Sequence, residues 1–147
     1  MPLTNTPNLK SDKILDFSNR LEGYLSGKSI EKRFNEQFNE SISAKEIFSR
    51  YRKKDSSSIL FINDYKDILA RCLVLIVTTL DPDAIVFGGG VSNEIESLDE
   101  IKKTTEKYLS NFNNIKNVNL KTIFLKPKFG DASGVRGAAI LSKQNAI

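Results

Sequence analysis

Four apolar residues, Ala84-Ile85-Val86-Phe87, run without a break into Gly88-Gly89-Gly90, and this junction constrains the fold more than any other stretch. A continuous apolar run of that length fits a strand buried on both faces, the kind found in parallel sheets. A parallel strand needs a crossover to a second strand, and the chain supplies one. An amphipathic helix is predicted from about Asn93 to Leu109, with Glu94 and Glu96 in its first turn and Ile95, Leu98, Ile101, Tyr108 and Leu109 inward. A second strand is predicted over Leu120 to Leu125, ended by Pro127, and a final helix from about Asp131 carries Val135, Ala138, Ala139 and Leu141. The class is α/β.

The first half is helical. Ile30, Phe34 and Phe38, spaced by four, predict a helix from Ser26 or Lys28, and a second covers Ala44 to Lys53 with Ile47, Phe48 and Tyr51 on one side. The strongest helix is predicted to start after the caps Ser56-Ser57-Ser58, and Pro82 stops it. Its stripe is Phe61, Tyr65, Ile68, Leu69, Cys72, Leu73, Ile76 and Leu80, and Leu75 and Val77 make its end apolar all round. Residues 1–17 read as a polar tail or connection and 18–147 as one domain, a size at which a core forms without disulfide staples.

Composition narrows the chemistry. The chain has no histidine and one cysteine, Cys72, which excludes His-based triads, the common zinc sites and an internal disulfide. A net charge of +4 is too mild for a nucleic-acid binder, and the cluster Arg50, Arg52, Lys53, Lys54 reads as a solvated helix end. The longest uncharged apolar run, Cys72 to Leu80, has nine residues, whereas a membrane span needs about 20. No signal peptide is evident, so a cytoplasmic protein with no membrane partner is expected.

The eight glycines fall in three groups: Gly23 and Gly27; Gly88 to Gly90; and Gly130, Gly134 and Gly137. A glycine triplet between strand and helix is where α/β folds bind nucleotides, and it is also an ordinary tight turn; the triplet alone supports both readings. The dinucleotide fingerprint fails because Asn93 stands where its third glycine belongs, and a P-loop fails because Val91-Ser92-Asn93 lacks the lysine. Gly27-Lys28-Ser29 has no glycine five residues before it. Around Gly134 and Gly137 the small residues favour close helix packing over direct ligand contact.

Two longer stretches carry a resemblance. Leu80-Asp81-Pro82-Asp83-Ala84-Ile85-Val86-Phe87-Gly88-Gly89-Gly90-Val91-Ser92 and Gly130-Asp131-Ala132-Ser133-Gly134-Val135-Arg136-Gly137-Ala138-Ala139 resemble the two late signatures of the ROK family of sugar kinases and sugar-responsive repressors. Leu21-Glu22-Gly23-Tyr24-Leu25-Ser26-Gly27 is similar to the end of a third. The resemblance implies the C-terminal lobe of an actin-like ATPase (ribonuclease H-like) fold, helix-rich with a small, mainly parallel sheet, and its tone is closest to fructokinase-like members.

It implies that Glu22 accepts hydrogen bonds from sugar hydroxyls, an alternative to an exposed charge at a helix start. Gly88, Gly89 and Gly90 would lie against the adenosine of ATP, with Asp131 and Gly134 near the nucleotide cleft. The family's phosphate loops and catalytic aspartate have no counterpart here, so no catalytic residue is assigned. Mg-bound ATP and a hexose would then be held only together with a complementary N-terminal kinase half or in a homo-oligomer. Asp16-Phe17-Ser18-Asn19-Arg20-Leu21 replaces the family's zinc loop, so no zinc is implied. The alternative function is a non-catalytic sugar- or nucleotide-binding module, such as a regulatory subunit or the relic of a split gene. No helix-turn-helix precedes the domain, which argues against a DNA-binding repressor.

Overall fold

A computed structural model describes residues 21–113 and 118–144. Helices α1 (Glu22–Leu25), α2 (Gly27–Phe38), α3 (Ala44–Arg52) and α4 (Ser56–Leu80) lead into strand β1 (Ala84–Val86). Helices α5 (Gly90–Glu94) and α6 (Leu98–Asn113), strand β2 (Ile123–Leu125) and helix α7 (Ser133–Gln144) complete the chain, with a 3-10 turn at Gly130–Ala132 before α7. The strands pair in parallel, Ala84 against Ile123 and Val86 against Leu125, so the α/β class and the crossover both stand.

The α2 spacing works as expected: Ile30 and Phe34 are buried and Phe38 is partly so, with Phe34 stacked edge-on against Phe61 of α4. Ile47 and Phe48 of α3, Phe61, Ile62, Tyr65, Leu69 and Leu73 of α4, and Ile95 and Ile101 complete the main core. A second cluster joins Val74, Val77, Leu109 and Leu120, and Ile85 and Phe124 of the sheet pack against both. Asn35 ties the α2–α3 turn, its side chain donating to the Ile42 carbonyl at 2.9 Å and accepting from the Ile42 amide at 3.0 Å. Asn35→Ala is expected to cost about 2 kcal/mol, measurable as a lower urea midpoint at unchanged slope.

Two expectations change. Helix α4 starts one turn early because Asp55, not the serines, is its cap: its carboxylate accepts from the Ser58 amide and hydroxyl, both at 2.9 Å, and those bonds hold the Asp55 pKa below the usual carboxylate range. The helix expected from Asn93 to Leu109 is two, because Ser97 accepts from the Glu100 amide and starts α6 afresh, leaving Ile95 extended.

The end of α4 is not packed all round: Leu75 is 50% and Leu80 71% exposed. The sheet is covered on one face only. Ile85 and Phe124 point into the core, while Val86 and Ile123 on the other face are 59% and 56% exposed. Parallel sheets are normally covered on both faces, and the described residues cover one.

Candidate functional site

Both glycine loops follow strands. Since β1 and β2 run parallel, their carboxyl ends share one edge of the sheet, so the loop at Gly88–Gly90 and the turn at Pro127–Gly130 open on the same side. In open α/β sheets this edge is where ligands sit. The pairing extends past β1, the Phe87 amide donating to the Leu125 carbonyl at 2.9 Å, so the loop begins from a fixed point.

Gly89 takes φ 87° and ψ 169°, a region essentially reserved for glycine. All three glycines are exposed, and a Cβ placed on any of them would meet no atom within 4 Å. The loop therefore presents bare backbone to open space. Buried Ser92 braces it from behind, its amide and hydroxyl donating to the Gly89 carbonyl at 3.1 and 2.7 Å. Beyond it, the Lys126 ammonium donates to the Ile95 carbonyl, tying the end of β2 to the far side of α5. The Arg52–Glu94 ion pair at 2.9 Å adds a link from α3.

Glu22 sits in the one-turn helix α1 with its side chain exposed. A Cβ on Gly27, at the start of α2, would stand 3.5 Å from the Val91 side chain, so the α1–α2 junction rests against the helix that leaves the glycine loop. The contact places Gly27, five residues after Glu22, against Val91, the residue that follows the Gly88–Gly90 loop. Gly134 lies in the first turn of α7, which begins where the Pro127–Gly130 turn ends; Asp131 belongs to the intervening 3-10 turn, and its side chain lies outside the described residues.

The expected close packing around Gly134 and Gly137 is not seen among the described residues. Both have open space where a Cβ would be, and Val135, Ile140 and Leu141 are 75%, 58% and 61% exposed. Helix α7, like the outer sheet face, is a surface awaiting cover. The replaced zinc-loop segment, 16–20, falls outside the described residues.

Sequence reasoning missed the bracing groups Ser92, Lys126 and Arg52. A serine three residues past a glycine is a recognisable turn signal; the two long side chains act across 31 and 42 residues of sequence, which no local pattern announces. Two of the four residues of the basic cluster pair with carboxylates, Arg50 with Glu40 and Glu46 and Arg52 with Glu94, and Lys53 and Lys54 are exposed.

Away from the glycine edge, a cleft of about 60 Å³ lies between α3, α4 and the start of α6. Burial works against the Lys66 charge there, but hydrogen bonds to Glu100 at 2.7 Å and Tyr51 at 2.8 Å outweigh it and hold its pKa above the usual lysine value. Burial also pushes the neighbouring Tyr65 phenol up to about 12. The stability gained by keeping that phenol neutral is complete below pH about 10 and is lost as pH rises toward 12. Unfolding midpoints measured from pH 9 to 12 should fall over that window, and less steeply in Tyr65→Phe.

The ROK family model matches residues 18–145. This chain belongs to the ROK family. It is 36% identical over 124 residues to N-acetyl-D-glucosamine kinase of Yersinia enterocolitica, a match covering 82% of this chain and 38% of that protein. The ROK chain thus spans well under half the length of the curated relatives it matches.

Among solved structures, a ROK family protein from Streptococcus pneumoniae in complex with sucrose superposes with a TM-score of 0.73 at 16% identity, over 86% of this chain and 43% of that one. A ROK glucokinase from Streptomyces griseus in complex with glucose and AMPPNP gives 0.62 at 22% identity, over 84% and 44%. The fold is therefore that of one part of a ROK kinase: helix-rich, with a small parallel sheet.

Proposed function

We propose that this chain is the adenosine-side and sugar-contacting part of an ATP-dependent hexose kinase, completed by an N-terminal half that brings the phosphate loops and catalytic aspartate. The observation that carries the reading is the bare, braced Gly88–Gly90 loop at the carboxyl end of a parallel strand in a ROK chain. With no Cβ and nothing above it, that backbone can take the flat face of adenosine, and Gly134 and Asp131 stand by the second strand's turn on the same edge.

Glu22, one turn before the Gly27–Val91 contact in sequence, would accept hydrogen bonds from hexose hydroxyls and fix the ring's orientation. Phosphoryl transfer requires little beyond placement and charge neutralisation, so a part that positions the two substrates contributes directly to rate. Magnesium would ride on the triphosphate, which lies on the side of the complementary half. The uncovered outer sheet face is the surface that half would cover. Among the described residues no helix is long and apolar enough to cross a membrane, in keeping with a cytoplasmic place of work.

The resemblance to fructokinase-like members and the relatives named for N-acetyl-D-glucosamine both point to a hexose. Calorimetric titration of the full chain, alone and with the complementary half, against fructose, glucose and N-acetyl-D-glucosamine tests the sugar side. One of them should bind, and Glu22→Ala should weaken it about tenfold or more, the loss of charge-assisted hydrogen bonds. Equal binding by parent and variant would make Glu22 an ordinary surface charge. Nucleotide or sugar binding with no turnover in any assembly would favour a regulatory module.

A further inference from the structure

Helix α1 is four residues long, buries none of them, and its N-terminal residue Leu21 makes no side-chain capping bond. Such a turn is far below the length at which a helix holds itself together in water. Leu25 packs half-buried against the main core, and two side chains one turn apart on α2 hold the turn's carbonyls. The Ser29 hydroxyl donates to the Glu22 carbonyl at 3.0 Å. Arg33 donates from Nη1 to the Tyr24 carbonyl at 3.2 Å, with its guanidinium carbon 5.4 Å from the Tyr24 ring centre and 5.3 Å from that of Phe61. The guanidinium is thus held between an aromatic ring of α1 and one of α4.

The position is costly for a cation. Burial draws the Arg33 pKa below the ordinary arginine value, against opposing contributions from Tyr24, Asp64 and Tyr65. Neighbouring arginines on the surface pair with carboxylates instead, as Arg50 and Arg52 do. Arg33 spends its hydrogen bond on a backbone carbonyl two residues from Glu22. A flat guanidinium can stack on two rings and donate in its plane at once; a lysine ammonium cannot.

We propose that Ser29 and Arg33 are positioning residues that hold the Glu22 turn in the orientation from which its carboxylate meets the hexose. This deepens the reading of Glu22 as a sugar contact and rests on it. Neither residue touches sugar. Ser29 fixes the carbonyl of Glu22 itself and Arg33 that of Tyr24, and they remove freedom that the core packing of Leu25, at the far end of the turn, leaves to its exposed start. A sugar contact on an unordered turn would lose part of its binding free energy to ordering.

The test uses the full chain and two readouts. Amide hydrogen exchange reads the turn directly at Leu25 and Ser26, whose amides donate to the carbonyls of Leu21 and Glu22. In Ser29→Ala and Arg33→Lys these amides should exchange about fivefold to tenfold faster, while α4 amides from Phe61 to Leu73 change less than about twofold. Ser29→Thr, which restores a hydroxyl, should return to the parent rate.

The second readout is hexose affinity, measured on the chain assembled with its complementary half. Ser29→Ala and Arg33→Lys should each weaken it about fivefold in the parent and not at all in the Glu22→Ala background. Unchanged exchange at Leu25 and Ser26, equal acceleration throughout α4, or failure of Ser29→Thr to rescue would overturn the proposal. So would weakening that adds fully to Glu22→Ala. A hexose response that the variants leave untouched overturns the positioning role alone, whereas an assembly of the parent chain with its complementary half that answers to no hexose removes the Glu22 reading and the positioning role with it.

Discussion

Gly89→Val is expected to cut ATP affinity of the assembled kinase at least about a hundredfold while leaving hexose binding measurable. At φ 87° and ψ 169° Gly89 occupies backbone space that costs a side chain of L configuration about 1–3 kcal/mol, and a β-branched residue sits at the upper end. Valine escapes by turning the loop into an ordinary conformation. That movement pulls the Gly89 carbonyl off Ser92 and tilts the bare face away from the nucleotide. The core is not involved, since nothing lies within 4 Å of the new Cβ, so the thermal midpoint should fall only slightly. Calorimetry with ATP decides the matter: equal affinity in parent and variant would reduce the triplet to a turn.

The isolated chain should also self-associate. Val86 and Ile123 stand more than half exposed on one side of the sheet, with Leu125 at 44% beside them. The edge is open as well as the face. The Asp83 carbonyl and the Phe87 amide are the β1-side partners of β2, so alternation along the strand turns the backbone groups of Ala84 and Val86 toward the outer edge. A two-stranded sheet with an unpaired edge and an uncovered apolar face invites another chain. Sedimentation velocity over a dilution series should show mass rising with concentration, and the complementary half should suppress it by covering the same face. A monomer that persists at high concentration would show that these surfaces are stable in water as they stand.

Much of this arrangement was legible in the residues. The four-residue spacing of Ile30, Phe34 and Phe38 and the stripe from Phe61 to Leu73 located the core, because burial follows helical periodicity closely. The run into three glycines located the candidate nucleotide edge, because few sequences end a buried strand that way. Boundaries were less legible where two capping groups compete: Asp55 took the cap from the serines beyond it, and Ser97 broke a helix whose apolar spacing continued through the break.

The outer sheet face was legible as well: a strand apolar on both faces with one further strand beside it leaves an apolar face exposed, as at Val86 and Ile123. Ala84 to Phe87 is patterned for burial on both sides, and a strand's pattern reports every neighbour it is built to meet, including those on other polypeptide. The braces Arg33, Lys126 and Arg52 were invisible, since long side chains choose partners that only the folded chain brings near.

The central claim is that this chain places adenosine and hexose but cannot move the phosphoryl group without a second half. The direct measurement is ATP-dependent phosphorylation of fructose, glucose and N-acetyl-D-glucosamine by the purified chain, with and without an N-terminal ROK-kinase half added in trans. Loss of a catalytic base alone costs about 10²–10⁴-fold, and the phosphate loops are absent from the sequence as well. The chain alone should give no turnover above background, and turnover once the half is supplied should be sensitive to Gly89→Val and Glu22→Ala. Hexose phosphorylation by the chain alone, lost in Gly89→Val, would contradict it.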